Sequence, residues 1–192
     1  MDDEVLPSKR TAADEHGTIG LLRERFAELR FIEQDTKDEI PTLWVPGDGL
    51  HAVLAYLKSE IEQPYHLLYD LTAIDERTRV HREGQPDSDF TVVYHLLSYG
   101  RNQDLRLKVA LKGDRPTLPS VTGLFPLANW YEREAWDMFG IVFDGHPRLN
   151  RILMPPTWVG HPLRKDHPAR GTELGMFSLP PGKEVAEEEA LQ

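Results

Sequence analysis

The sequence contains no cysteine. Disulfides, thiolate zinc sites, cysteine-ligated iron–sulfur clusters and cysteine nucleophiles are thereby excluded together. Basic residues are in deficit: 22 Lys and Arg stand against 32 Asp and Glu, giving a net charge of -10. A nucleic-acid-binding domain normally carries a basic surplus to meet phosphates, so that class is set aside. No segment approaches the roughly 18 consecutive apolar residues of a membrane span, and any membrane association is expected to come through partners. The opening Met1-Asp2-Asp3-Glu4 is acidic and lacks an apolar run, which is not the form of a secretory signal. Also missing are Gly-x-Gly-x-x-Gly, a Walker loop and Gly-x-Ser-x-Gly, the short elements that announce dinucleotide, phosphate or serine-hydrolase chemistry.

What remains are 192 residues, 40% hydrophobic and 28% charged, enough for one ordinary domain with its own core. Residues 1–17 are polar and without hydrophobic period, and read as an N-terminal arm. From Ile19 the pattern turns helical, with Ile19, Leu22, Phe26 and Leu29 on one face. Residues 31–34 and 42–45 read as two short strands around a polar turn. Residues 48–61 return to helical period through Leu50, Val53, Leu54 and Leu57, and Gln63-Pro64 ends that run. Residues 66–74 suit a buried strand, 76–89 a polar loop and 90–97 a strong strand. Residues 105–111 alternate with period two, so that leucines and Val109 face a core while Arg106 and Lys108 face water. Residues 98–104 then form the turn of a hairpin. Helices joined to strands by short connections must lie on the sheet to bury their stripes, which predicts a two-layer α+β domain with a mixed sheet. The α+β domain is placed at 18–140.

The 15 prolines cluster late in the chain. Asn129 followed by Glu132 has the form of a capping box, Glu132 and Glu134 suit the positive end of a helix dipole, and Gly140 is a natural C-terminal stop. A short helix over residues 130–139 is therefore expected, with Arg133 and Asp137 pairing four apart on its surface. Trp130, Tyr131, Trp136, Met138 and Phe139 cannot all face one side of it, so apolar surface is left over for a partner. Beyond it, His146-Pro147, Pro155-Pro156, His161-Pro162 and His167-Pro168 push the backbone to extended conformations. Within 144–170, five cations (Arg148, Arg151, Arg164, Lys165, Arg170) face Asp144 and Asp166, a net +3 on a chain whose remainder carries -13. Residues 141–170 thus read as an extended basic interface arm, suited to lying along an acidic groove. Residues 171–192 read as a Glu/Ala-rich tail or linker.

Glu132, Glu134 and Asp137 could form an acid–base pair, but capping and pairing with arginines is the simpler reading. His146, His161 and His167 with Asp144 and Asp166 could hold a metal, yet each histidine precedes a proline and no standard ligand spacing occurs. Arg164-Lys165-Asp166 is read as an inter-subunit ion-pair network rather than a phosphate site. No catalytic, cofactor-binding or metal-ligating residue is assigned.

The run Glu132-Arg133-Glu134, Asp137, Gly140, Phe143, Gly145-His146-Pro147 and Arg151-Ile152-Leu153 resembles the signature of the 30 kDa (C) family of respiratory NADH:quinone oxidoreductase (complex I). Gly160-His161-Pro162-Leu163-Arg164-Lys165-Asp166 resembles that family's second motif, and Tyr94-His95-Leu96, Leu107-Lys108-Val109 and the approach from Pro119 to Phe125 extend the likeness over most of residues 20–170. Asn150, where the family carries a basic residue or proline, and His167, in place of an aromatic, depart from the pattern.

The resemblance implies a non-catalytic scaffold. It would hold the D subunit, which shapes the quinone cavity, together with the B subunit and neighbouring iron–sulfur subunits, at the cytoplasmic face of the bacterial inner membrane. FMN and the iron–sulfur clusters would lie in those partners, with NADH and quinone as substrates of the whole. Residues 183–191 resemble the linker of chains in which C and D are fused. The alternatives are the related subunit of a membrane-bound [NiFe] hydrogenase or formate hydrogenlyase, a free-standing metal-dependent enzyme built on the His/Asp cluster, and an assembly factor that leaves before maturation.

Overall fold

In a computed structural model, residues 17–81 and 84–167 are described. The expected N-terminal arm up to residue 16, Arg170 and the tail lie outside them. The period-two pattern sets the sheet. On β5 (Gln103–Leu111) the residues Leu105, Leu107, Val109 and Leu111 are buried. They lie opposite Leu96, Tyr94, Val92 and Phe90 of the antiparallel β4 (Phe90–Ser98). The turn between them needs a left-handed residue, and Asn102 (φ 49°), a type that tolerates this region, provides it. β3 (Leu67–Asp75) continues the same face with Leu68, Leu71 and Ala73 opposite Leu96, Tyr94 and Val92. β1 (Ile32–Glu33) pairs antiparallel with β2 (Thr42–Trp44), and β2 runs parallel to β5, giving the order β1-β2-β5-β4-β3.

Leu43, Leu107, Tyr94 and Leu71 thus form one row across the sheet, and every helix packs on that side. Leu22 of α1 (Thr18–Arg25), Leu50, Val53, Leu54 and Leu57 of α2 (Leu50–Ser59), and Ala135 and Met138 of α3 (Ala128–Phe139) share one core with it. Each fully buried leucine contributes roughly 1.5–3 kcal/mol of transfer free energy. The expected two-layer α+β domain is what the chain forms. A chain of hydrogen bonds ties α1 to β5: Thr18 Oγ1 donates to Tyr65 Oη at 2.9 Å, and that hydroxyl donates to Gln103 Oε1 at 2.9 Å.

Three expectations are corrected. The first helix stops at Arg25, because Phe26 (φ -122°, ψ 55°) leaves helical space. Leu29 instead fills the space left at the start of α2 by Gly49, where an added Cβ would lie 2.4 Å from Leu29 Cδ1. Arg106 and Lys108 do not simply face water. The connection between β1 and β2 folds across that face, so Asp38 accepts from Arg106 at 2.6 Å, and Gln34 Oε1 accepts from Lys108, whose ammonium lies over Trp44. A second, two-stranded parallel sheet of β6 (Thr117–Pro119) and β7 (Val142–Asp144) was not expected at all.

On the outer edge of the main sheet, the register of β3 shifts between Leu68 and Asp70. The Tyr131 hydroxyl of α3 donates to the Tyr69 carbonyl there, at 2.7 Å.

Candidate functional site

The signature residues gather around the C-terminal end of α3. Asp137 is fully buried, and it does not pair with Arg133 as helical spacing predicts. One carboxylate oxygen accepts the backbone N–H groups of Ile152, Leu153 and Met154 at 3.0, 2.9 and 2.9 Å, and the other takes the Arg151 guanidinium. Burial pushes this carboxyl up, but the three amides and the arginine outweigh it and hold it below the ordinary carboxylate value. Arg133 turns instead to the carbonyls of Asn150 and Arg151, both at 3.1 Å, and stacks over Trp130. The helical i,i+4 rule fails here because residues 150–154 lie across that face and offer both partners better geometry.

An α-helix leaves its last carbonyls without partners. Gly140, left-handed at φ 79°, returns its N–H to Trp136 O at 2.8 Å, as expected of a C-terminal stop. The carbonyls of Asp137 and Met138 are met by the proline-rich segment. His161 Nδ1 donates to Asp137 O at 3.0 Å, and Leu163 N donates to Met138 O at 3.0 Å. The His161 ring closes over Gly140 so tightly that an added Cβ would lie 2.7 Å from Cδ2. Burial holds the His161 imidazole below its ordinary pKa. Arg151 completes the frame by donating to the carbonyls of Trp158 and Gly160, both at 2.9 Å, beside the negative end of the helix dipole.

At the helix start the expected capping box is absent. The N–H groups of Ala128, Asn129 and Trp130 donate to the carbonyls of Phe125, Pro126 and Leu127, so the turn before α3 carries the helix start back to Ala128. Glu132 points inward with no exposed surface, taking Ser120 Oγ and the Val121 N–H, each at 2.7 Å. Burial raises its carboxyl to about 7. Neither Glu132 nor Asp137 caps the helix, and among the described residues no cation pairs with Glu132. Glu134 is exposed.

The second motif is also turned inward. Arg77 binds Asp75 at the end of β3 and reaches Asp166 at 2.9 Å, while Arg164 donates to Asp166 and to Asp114 O. Both guanidiniums lie over the Phe90 ring, at 4.9 and 5.2 Å. Residues 144–167 contain no helix, as the prolines require, but Arg151 and Arg164 are engaged within the chain rather than held free for another protein. His146 accepts from Arg148 N through Nδ1 and donates to Asn129 O through Nε2; it does not meet His161 or His167. Among the described residues no three His, Asp or Glu side chains are grouped as a metal would need.

What faces outward is largely apolar. Trp130 is 56% exposed, Leu153 58%, Val159 78% and Leu163 52%, with Pro147, Arg148 and Lys165 also exposed. Met138 and Phe139, expected among the spare apolar surface, are buried. The residues missed from sequence are Asp75, Arg77, Phe90 and Ser120. Asp75 and Arg77 fell at the boundary of a polar loop, and their partners lie about ninety residues away, so no local spacing could have revealed them.

Residues 43–173 match the family described as Respiratory-chain NADH dehydrogenase, 30 Kd subunit. The chain is 59% identical over 174 residues to the C/D subunit of NADH-quinone oxidoreductase from Methylococcus capsulatus, covering 91% of this chain and 30% of that one. It is 62% identical over 161 residues to the C/D subunit from Nitrosospira multiformis, covering 84% and 26%. It thus spans under a third of these relatives' length. Among solved structures, the trypsin-resistant fragment (1-134) of Nqo5 is 30% identical with TM-score 0.54, covering 68% of this chain and 98% of that one. An archaeal membrane-bound sulfane sulfur reductase shares the fold, at 22% identity and TM-score 0.62, covering 87% and 96%. The match over residues 43–173 and the identity to the C/D chains place this chain in the respiratory-chain NADH dehydrogenase 30 Kd subunit family.

Proposed function

We propose that this chain is the C portion of a proton-translocating NADH:quinone oxidoreductase, acting as a non-catalytic scaffold of its peripheral arm. It holds the D subunit, and with it the B subunit and neighbouring iron–sulfur subunits, while electrons pass from NADH to quinone through FMN and clusters carried by those partners. The complex sits at the cytoplasmic face of the bacterial inner membrane. No helix of the described residues is long and apolar enough to cross a membrane; in this reading the partners make the attachment. The fused C/D naming of the relatives supports a D portion on the same chain.

The observation that carries the reading is the division of the signature. Its buried polar members, Glu132, Asp137 and the Arg151 and His161 side chains set against the end of α3, are satisfied within the chain, so they build a platform rather than a reactive cleft. Its apolar members Leu153 and Leu163, with Val159 between the two motifs, are left on the outside of the same segment. Exposed leucine, valine and tryptophan next to basic Arg148 and Lys165 have the composition of an interface core with a charged rim.

The test is affinity purification of the tagged protein from native membranes in mild detergent, with mass spectrometry and an NADH:quinone assay. The D, B and iron–sulfur subunits should co-purify in fixed proportion. Leu163→Asp and Val159→Asp should reduce recovery of the B and iron–sulfur subunits, which are separate chains whether or not D is fused, several-fold without changing the unfolding temperature of the chain. Recovery of the tagged protein alone from membranes with active NADH:quinone oxidoreductase would refute the proposal.

A further inference from the structure

The last described turn of the chain ends against β3 in a group of charges that the scaffold reading does not use. Asp75, whose side chain has no exposed surface, accepts the Arg77 guanidinium and also the backbone N–H groups of Arg77 at 3.1 Å and Lys165 at 2.8 Å. Arg77 extends beyond it to Asp166, with two bonds of 2.9 and 3.1 Å. Arg164 joins Asp166 from the other side and donates to Asp114 O at 2.8 Å. Two carboxylates and two guanidiniums are thus balanced over one buried phenyl ring, Phe90, which attracts both cations through its π face.

The two halves of this group differ in kind. Asp75 and Arg77 belong to the sheet, two residues apart, and the carboxylate has no exposure. Removing either would leave a buried charge alone, so this half stays closed while the domain is folded. Asp166 is 57% exposed and Asp114 91%, and ion pairs at such sites are weakened by water and salt. Among the described residues, this outer half and the Lys165 amide join the arm to the sheet at its far end.

The geometry points to a releasable strap: Asp166 and Arg164 latch residues 161–167 onto a permanent Asp75–Arg77 post, and the latch opens without unfolding the sheet. When closed, it holds His161 and Leu163 at the carbonyls of α3. When open, those carbonyls and the Phe90 face are exposed to solvent. The strap is a property of the chain itself and does not depend on which proteins the outer face meets.

Amide hydrogen exchange on the full chain tests this. Asp166→Asn removes both ion pairs of Asp166, with Arg77 and with Arg164, and leaves the post and the longer Arg164–Asp114 contact in place. The amides of Leu163, Lys165 and His167 should exchange about ten-fold faster in the variant, matching the loss of charge-assisted bonds, while those of β4 and β5 keep the wild-type rate. Arg77→Gln cuts post and latch together and should speed the same amides further. Trypsin cleavage after Arg164, at a bond both carry unchanged from the wild type, should accelerate in parallel. Unchanged exchange in Asp166→Asn would overturn the inference, because the arm would then be held by other contacts. So would equal acceleration of the arm and the sheet, because the strap would then not open on its own.

Discussion

Glu132 gives the sharpest measurable consequence of this fold. It is fully buried, takes two hydrogen bonds from Ser120 Oγ and the Val121 N–H, and pairs with no cation among the described residues. Burial raises its carboxyl from an ordinary 4.5 to about 7, against the pull of those two bonds. The folded chain therefore holds this proton more tightly than the unfolded chain. The resulting stabilisation is complete below pH 4.5 and is lost as pH rises through 7. The separation, at about 1.4 kcal/mol per pH unit, corresponds to roughly 3 kcal/mol in full, of which roughly 2 kcal/mol falls between about pH 5.5 and 8.5. In Glu132→Gln the amide oxygen still accepts from Val121, and the amide nitrogen donates to Ser120 Oγ, with no charge to desolvate. Urea unfolding of both proteins across that range should show the wild type losing about 2 kcal/mol relative to the variant, most of it between about pH 5.5 and 7, with the difference level above about pH 8. Comparing the two removes the histidines and other groups they share. Parallel stability curves would refute the argument, since an exposed or ion-paired Glu132 would leave no difference to titrate.

Three further outcomes are expected. Asp137→Ala strands Arg151 and three amides in a buried site and should cost roughly 3–5 kcal/mol, read as a lowered unfolding temperature with residues 150–163 losing exchange protection first. Gly140→Ala meets both a left-handed backbone and the His161 ring, so it should destabilise by about 1–2 kcal/mol or more and shift the His161 imidazole resonances. Thr18→Val removes one donor to the buried Tyr65 hydroxyl and should cost about 1 kcal/mol, with faster exchange confined to α1.

The layers of this domain were legible because they rest on period. Leu105, Leu107, Val109 and Leu111 alternate with Arg106, Lys108 and Ala110, Leu50, Val53, Leu54 and Leu57 recur at helical spacing, and both patterns survive in the structure with boundaries shifted by a residue or two. Gly140 was legible because a glycine after an apolar helical run has one common use. The short parallel pair of β6 and β7 was not, since three residues carry no period and their partners are about 25 residues apart. The roles of Glu132, Arg133 and Asp137 were misread for a related reason. Helical spacing names neighbours on an isolated helix, but Asp137 finds its donors at 151–154 and Glu132 finds its own at 120–121. Periodicity places a side chain on a face; it does not say what folds across that face.

The single hydrogen bond from Tyr131 to the Tyr69 carbonyl has a consequence for how copies of this chain behave toward one another. β3 closes one side of the main sheet, and nine residues of unpaired strand would invite a neighbouring chain to add on and start an aggregate. The break in register at Tyr69 bends that rim, and the phenol occupies one of the carbonyls a visiting strand would need. The opposite rim, β1, is only two residues long. Both rims of the sheet are thereby made poor templates for pairing with a second copy of this chain.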